Sequence, residues 1–125
     1  MDPVSLELKL LPLRYAVARP TVWPDWLPPE GFVSVTRTAN EISVVCEERL
    51  IPPGIRTETG FRALELQGPF AFGLTGILDS VIHPLAKAEI GIFALSTYDT
   101  DYVLVKAEDL ARTLSTLTQS GHQIV

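Results

Sequence analysis

Six consecutive residues, 90–95 (IGIFAL), bear only apolar side chains or none, and no charge or hydrogen-bonding side chain interrupts them. A run this short is too brief for an ordinary helix, so it reads as a strand buried on both faces and central in a sheet. Residues 102–106 (YVLVK) are its expected neighbour, across the polar turn Ser96-Thr97-Tyr98-Asp99-Thr100-Asp101. Upstream, Leu74, Ile77, Leu78, Val81, Ile82 and Leu85 recur at helical spacing, with Gly73 or Thr75 placed near the cap. Downstream, Glu108 and Asp109 favour a second helix start through the helix dipole. Leu110, Leu114 and Leu117 form its apolar stripe, and Gly121 closes it. With an alternating strand at 61–66 (FRALEL) and a short one at 123–125, residues 61–125 read βαββαβ. That order gives a ferredoxin-like, four-stranded antiparallel sheet with both helices on one face.

The first sixty residues supply strands and little helix. Residues 6–18 carry β-formers broken by Pro12, and 32–36 (FVSVT) and 42–46 (ISVVC) follow, joined by turn material at 38–41. Pro20, Pro24, Pro28 and Pro29 fall within ten residues that also hold Trp23 and Trp26, which argues for a loop. The tryptophans are expected to plug the edge of a core. The whole chain is thus expected to be α+β, with a degenerate companion subdomain at 1–60 and a complete one at 61–125.

Composition excludes several classes. A formal charge of −5 with singly scattered Lys and Arg is wrong for a nucleic-acid surface. No apolar run approaches the ~20 residues of a membrane span, and Met1-Asp2-Pro3 lacks the basic start of a secretory signal. Cys46, the single cysteine, permits no internal disulfide, which suits a reducing, cytoplasmic setting. It lies in an apolar strand ahead of Glu47 and Glu48, a setting for a buried thiol and not for a nucleophile. His83 and His122 share no metal-ligand spacing, and no phosphate-cradling GxxxxGK[ST] or GxGxxG occurs, so neither metal nor cofactor is expected. The 46% hydrophobic content is high for 125 residues and suggests apolar surface covered by a partner.

The segment 92–106 (IFALSTYDTDYVLVK), with Pro84-Leu85-Ala86 in the preceding helix, resembles the ACT-domain family. The likeness is to the branch that includes small bacterial two-ACT proteins and CASTOR-type arginine sensors. Val17-Ala18-Arg19-Pro20 and the Phe32-x-Ser-x-Thr pattern fit it as well. The resemblance implies a tandem pair of ACT subdomains that binds a free amino acid where ACT units meet. One pair is present here, so a second copy would supply the other half, giving a two-fold homodimer. It implies a regulatory module and no catalysis, acting on a regulated protein that the sequence does not name.

A free amino acid presents an ammonium, which wants a carboxylate or bare carbonyls, and a carboxylate, which wants backbone N–H groups. Gly73, Thr75, Gly76 and Ile77 lead into the first helix, where the glycines let a ligand approach the backbone. Asp101 is the expected partner of a cation, although a turn aspartate also caps backbone. Thr97 and Thr100 offer hydroxyls, Tyr98 can flank a side chain, and Asp99 is expected to face water. Pro84, lacking an N–H, releases the carbonyl of Ser80 from its helical bond, and that carbonyl can accept from ligand or water. The resemblance adds Ser80 and Val81 as ligand contacts. The alternative reading is an ACT dimer that serves structure or protein interaction without ligand.

Overall fold

The computed structural model describes residues 4–71 and 73–125. The reading of Met1-Asp2-Pro3 and the placement of Phe72 ahead of the first helix lie outside the described residues. The elements are β1 (Glu7–Leu10), β2 (Tyr15–Arg19), β3 (Ser34–Arg37), β4 (Ile42–Glu47), β5 (Arg56–Leu66), α1 (Asp79–Lys87), β6 (Ile92–Ser96), β7 (Asp101–Lys106), α2 (Leu110–Gln119) and β8 (Gln123–Ile124). They form two compact units. A helical unit joins residues 4–12 to Arg62–Val125, and a unit free of α-helix (hereafter helix-free), with one short 3-10 turn at Glu48–Leu50, comprises Leu13–Phe61.

The helical unit carries the expected βαββαβ order from β5 to β8, with one addition. Its strands lie in the order β6-β7-β5-β1-β8, so β1 is wedged between the first and last strands of the motif. Leu8 stands opposite Leu66 in the antiparallel β1–β5 pair, and Glu7 opposite Gln123 in the parallel β1–β8 pair. The physical reason is the core. Leu6 and Leu8 join Leu64, Leu66, Val103 and Val105 on one sheet face, against Val81 and Leu85 of α1 and Leu117 of α2. Each such leucine, taken from water, contributes about 1.5–3 kcal/mol before the entropy of ordering is counted. Residues 4–12 therefore pack with the C-terminal segment, not with the residues that follow them in sequence.

Two local expectations are corrected. Among the described residues β6 is an edge strand, pairing with β7 alone. Its burial alternates instead of being complete, and Ile92 is 37% exposed. β7 lies between β6 and β5, which is where the motif places its third strand. Helix α1 starts at Asp79, later than Gly73 or Thr75. Gly76 sits at φ +78°, a left-handed conformation that ends any helix running through it. Leu74 consequently lies in the loop before the helix and is 55% exposed. Helix α2 is closed as expected by Gly121, at φ +98°.

The helix-free unit is an antiparallel sheet in the order β3-β4-β2-β5. Ala18, Val44 and Cys46 form its buried centre. Where α-helices would cover such a sheet, irregular segments and the 3-10 turn at Glu48–Leu50 do so with Trp26, Leu27, Leu50, Ile51 and Ile55. The prolines of residues 20–29 remove the amide donors and the φ freedom a helix needs there. The turn at 38–41 is pinned by the Thr38 hydroxyl, which accepts N–H bonds from Asn40 and Glu41 at 3.1 Å each. Of the two tryptophans only Trp26 packs on this core; Trp23 is 55% exposed, with the Arg37 guanidinium 5.7 Å above its ring.

Candidate functional site

The β6–β7 turn and the loop before α1 bound an open depression of about 180 Å³. Clefts that bury drug-sized ligands run to ~300–1,000 Å³, so its scale is that of a smaller molecule. Its walls are residues 96–101 of the turn on one side and Phe70, Ala71, Leu74 and Ile77 on the other. A second depression, about 240 Å³, shares Thr97, Asp99 and Thr100 and is completed by the end of β5 and Tyr102. There Glu65 accepts from the Tyr102 hydroxyl at 2.6 Å and from Gln67 Nε2 at 2.7 Å.

Hydrogen bonds set the shape of the turn. The Thr97 N–H donates to the Thr100 carbonyl at 2.8 Å, and the Thr100 N–H donates to the Thr97 hydroxyl at 3.3 Å. The Thr100 hydroxyl reaches the Leu66 carbonyl, tying the turn to β5, and Ser96 Oγ donates to Asp101. Phe70 N–H donates to the Asp99 carbonyl at 2.9 Å and joins the two walls. Asp99 and Asp101 both line the space while no Lys or Arg does, so the chemistry favours a cationic group.

Of the residues expected at a site, Ile77, Thr97, Tyr98, Thr100 and Asp101 line this depression together. Gly73, Thr75 and Gly76 belong to the loop before α1 but do not line it. The Ser80 hydroxyl donates to the Ile77 carbonyl at 2.6 Å, and Val81 is fully buried in the core. The Ser80 carbonyl released by Pro84 is occupied by His122, whose Nε2 lies 2.8 Å away. The other ring nitrogen, Nδ1, accepts the Leu6 N–H at 3.1 Å, which makes Nε2 the protonated, donating nitrogen. His122, 3% exposed, thus links the start of β1, helix α1 and the C-terminal strand. Sequence reading missed this link, and also missed Phe70, Ala71, Ser96 and Asp99 as wall residues. Leu74 was assigned to the helix stripe, and nothing local in the sequence marks a histidine that bonds across 42 positions.

Burial, and secondarily Glu47, pushes the Cys46 thiol up to about 11, so little thiolate exists near neutrality. Among the described residues no three His, Cys, Asp or Glu side chains group as metal ligands, and no helix is long and apolar enough to cross a membrane.

A βαββαβ unit with both helices on one face and a small depression at its hairpin turn defines the chain as a ferredoxin-like α+β protein. The model of the ACT domain matches residues 56–119, and the chain belongs to the ACT-domain family. A second family model, describing an N-terminal domain, matches residues 14–54. The chain is 31% identical to the cytosolic arginine sensor for mTORC1 subunit 1 of Bos taurus and of Homo sapiens, over 91% of its own length and 42% of theirs. It spans less than half the length of these curated relatives. A crystal structure of an Agrobacterium tumefaciens protein superposes with a TM-score of 0.91 at 42% identity, covering 98% of this chain and 93% of that one. Aspartate kinase of Clostridium acetobutylicum shares the fold, with a TM-score of 0.68 at 10% identity over 96% of this chain and 36% of that one.

Proposed function

We propose that this chain is a regulatory module that binds a free amino acid at the β6–β7 turn and acts, as a cytoplasmic homodimer, on a regulated protein rather than by catalysis. The observation that carries the reading is the convergence of Thr97, Tyr98, Thr100, Asp101 and Ile77 on one small depression. Asp101 takes the ammonium or a cationic side chain, and Ile77, Leu74 and Phe70 supply an apolar wall. The relatives named as arginine sensors make an amino acid the ligand to test first.

The second copy follows from β6. An apolar edge strand exposes unpaired backbone groups, and this one runs directly into the depression at Ser96. Leu74, Tyr98 and Ile92 are exposed on the same unit, at 55%, 80% and 37%. A second copy set against β6 covers this apolar surface and closes the open side of the depression. Gly73, Thr75 and Gly76 remain proposed contacts only through movement of the loop before α1, and Ser80, inside α1, only through a shift of the helix itself.

One observation favours the ligand-free alternative: the Thr97 and Thr100 hydroxyls and Asp101 already have partners within the chain. A thermal-shift screen against the twenty amino acids, with light scattering on the same sample, separates the two. Native-state binding at a hundred times Kd adds roughly 2.7 kcal/mol of stability. A dimer stabilised by one or a few amino acids supports the sensor. A dimer that responds to none at millimolar concentration supports the structural reading.

A further inference from the structure

The helix-free unit presents a surface that the amino-acid site does not use. Val22 and Trp23 are 71% and 55% exposed, and they are flanked by Pro20 and Pro24, both buried. The two anchored prolines hold these apolar side chains outward with little freedom, so a partner would lose little entropy by engaging them. Beside them lies an open depression of about 350 Å³ whose walls include Arg19, Arg37, Thr38, Asn40 and the carboxylate of Glu41.

The charges there are unequally matched. Arg14, Arg19 and Arg49 each meet a glutamate, whereas Arg37 has no carboxylate partner among the described residues and stacks on Trp23 instead. Arg19 is steadied by Glu41 at 3.4 Å and by the Asn40 carbonyl at 3.1 Å, which leaves most of its five donors unused. A guanidinium over an indole next to exposed aliphatic surface is the composition of an interaction hot spot, in which tryptophan and arginine dominate. Arg37 also ends β3, whose outer side pairs with no strand among the described residues. An extended chain fits along such an open edge. The overall charge of −5 opposes any long polyanion, so a nucleic acid is a poor occupant, whereas a short segment with a few carboxylates is complementary to the local guanidiniums of Arg37 and Arg19.

We propose that the Trp23–Arg37 surface docks an extended acidic segment of a partner protein, laid beside the open edge of β3. Carboxylates of the segment meet Arg37 and Arg19, and an intervening apolar side chain packs on Val22 and Trp23. The proposal stands apart from the amino-acid site and does not depend on it.

The test is fluorescence anisotropy of the full chain with a fluorescein-labelled ten-residue peptide in which glutamate alternates with valine. Expected are saturable binding that weakens as salt rises, at least a tenfold loss in Arg37→Glu and in Trp23→Ala, and no more than a twofold change in Arg112→Glu. The counterpart peptide with lysine for glutamate should not bind. Should Arg37→Glu fail to fold by circular dichroism, Arg37→Gln and Trp23→Ser carry the same comparison. Equal binding of the two peptides, or full affinity in a folded Arg37 variant, overturns the proposal. Displacement of the peptide by millimolar inorganic phosphate, with the same dependence on Arg37, overturns it in favour of a small-anion site.

Discussion

The helical and helix-free units pose the same problem, an antiparallel sheet with one face to cover, and answer it differently. In the helical unit α1 and α2 cover the sheet with Val81, Leu85 and Leu117, all fully buried. In the helix-free unit loops and a 3-10 turn cover it with Trp26, Leu27, Leu50, Ile51 and Ile55, none of them fully buried. The difference begins in the sequence. Residues 74–85 keep helical apolar spacing, while residues 20–29 hold four prolines. Burial of apolar area is what a sheet face requires, and it does not require a helix to supply it. Helices bury their residues more completely, and their unit also holds the hairpin-turn depression; the looser cover leaves Val22 and Trp23 outside the core.

If helical cover is the tighter one, Leu85→Ala should cost the most. A cavity at a fully buried leucine is worth about 2–5 kcal/mol by denaturant unfolding, against about 1 kcal/mol for Leu50→Ala in the loop cover. Equal losses would break the comparison. Next is His122→Phe, which strands the Leu6 N–H and the Ser80 carbonyl at about 1–3 kcal/mol per unsatisfied group. Faster amide exchange at Leu6 is the accompanying sign; an unchanged melting curve would mean that the link is not structural.

Gly76→Ala should cost about 1 kcal/mol through its left-handed φ, because an added Cβ there meets nothing within 4 Å. A larger loss would show that the loop before α1 is packed more tightly than its open surroundings suggest. Near neutral pH the smallest effect belongs to Cys46. Its pKa is raised by burial, so the folded protein holds the proton more tightly than the unfolded chain does. That contribution is fully present below the ordinary thiol value of 9.0 and is lost as pH rises through about 11. Wild type should therefore lose more stability than Cys46→Ala across that interval, and native Cys46 should resist iodoacetamide at pH 8.

Much of this was legible in the residues because the signals are local. The helical spacing from Asp79 to Leu85 and over 110–117, and the turn at 96–101, each depend on a dozen neighbours or fewer, and the βαββαβ order follows by joining such local signals. The failures came from distance. Nothing in Glu7–Leu10 reveals that its partners are β5 and β8, more than fifty residues away, because an alternating strand pairs equally well wherever an apolar face awaits it. The apolar run at residues 90–95 was read as central since both faces looked buried, yet β6 is an edge strand. Its surplus of apolar residues is an observation about a surface, visible only once its neighbours are known. Half of the expected site residues proved to share one depression for the same reason: Thr97, Tyr98, Thr100 and Asp101 sit within one turn, whereas Ser80 and Val81 answer to a histidine and a core brought from elsewhere.

The central claim is that the β6–β7 turn binds an amino acid, and calorimetric titration of wild type and Asp101→Ala with the amino acid that most stabilises the protein tests it most directly. The account predicts stoichiometric binding to wild type and at least a tenfold loss in Asp101→Ala, with melting temperature and light-scattering mass unchanged. Undiminished affinity in a folded Asp101→Ala protein would contradict it.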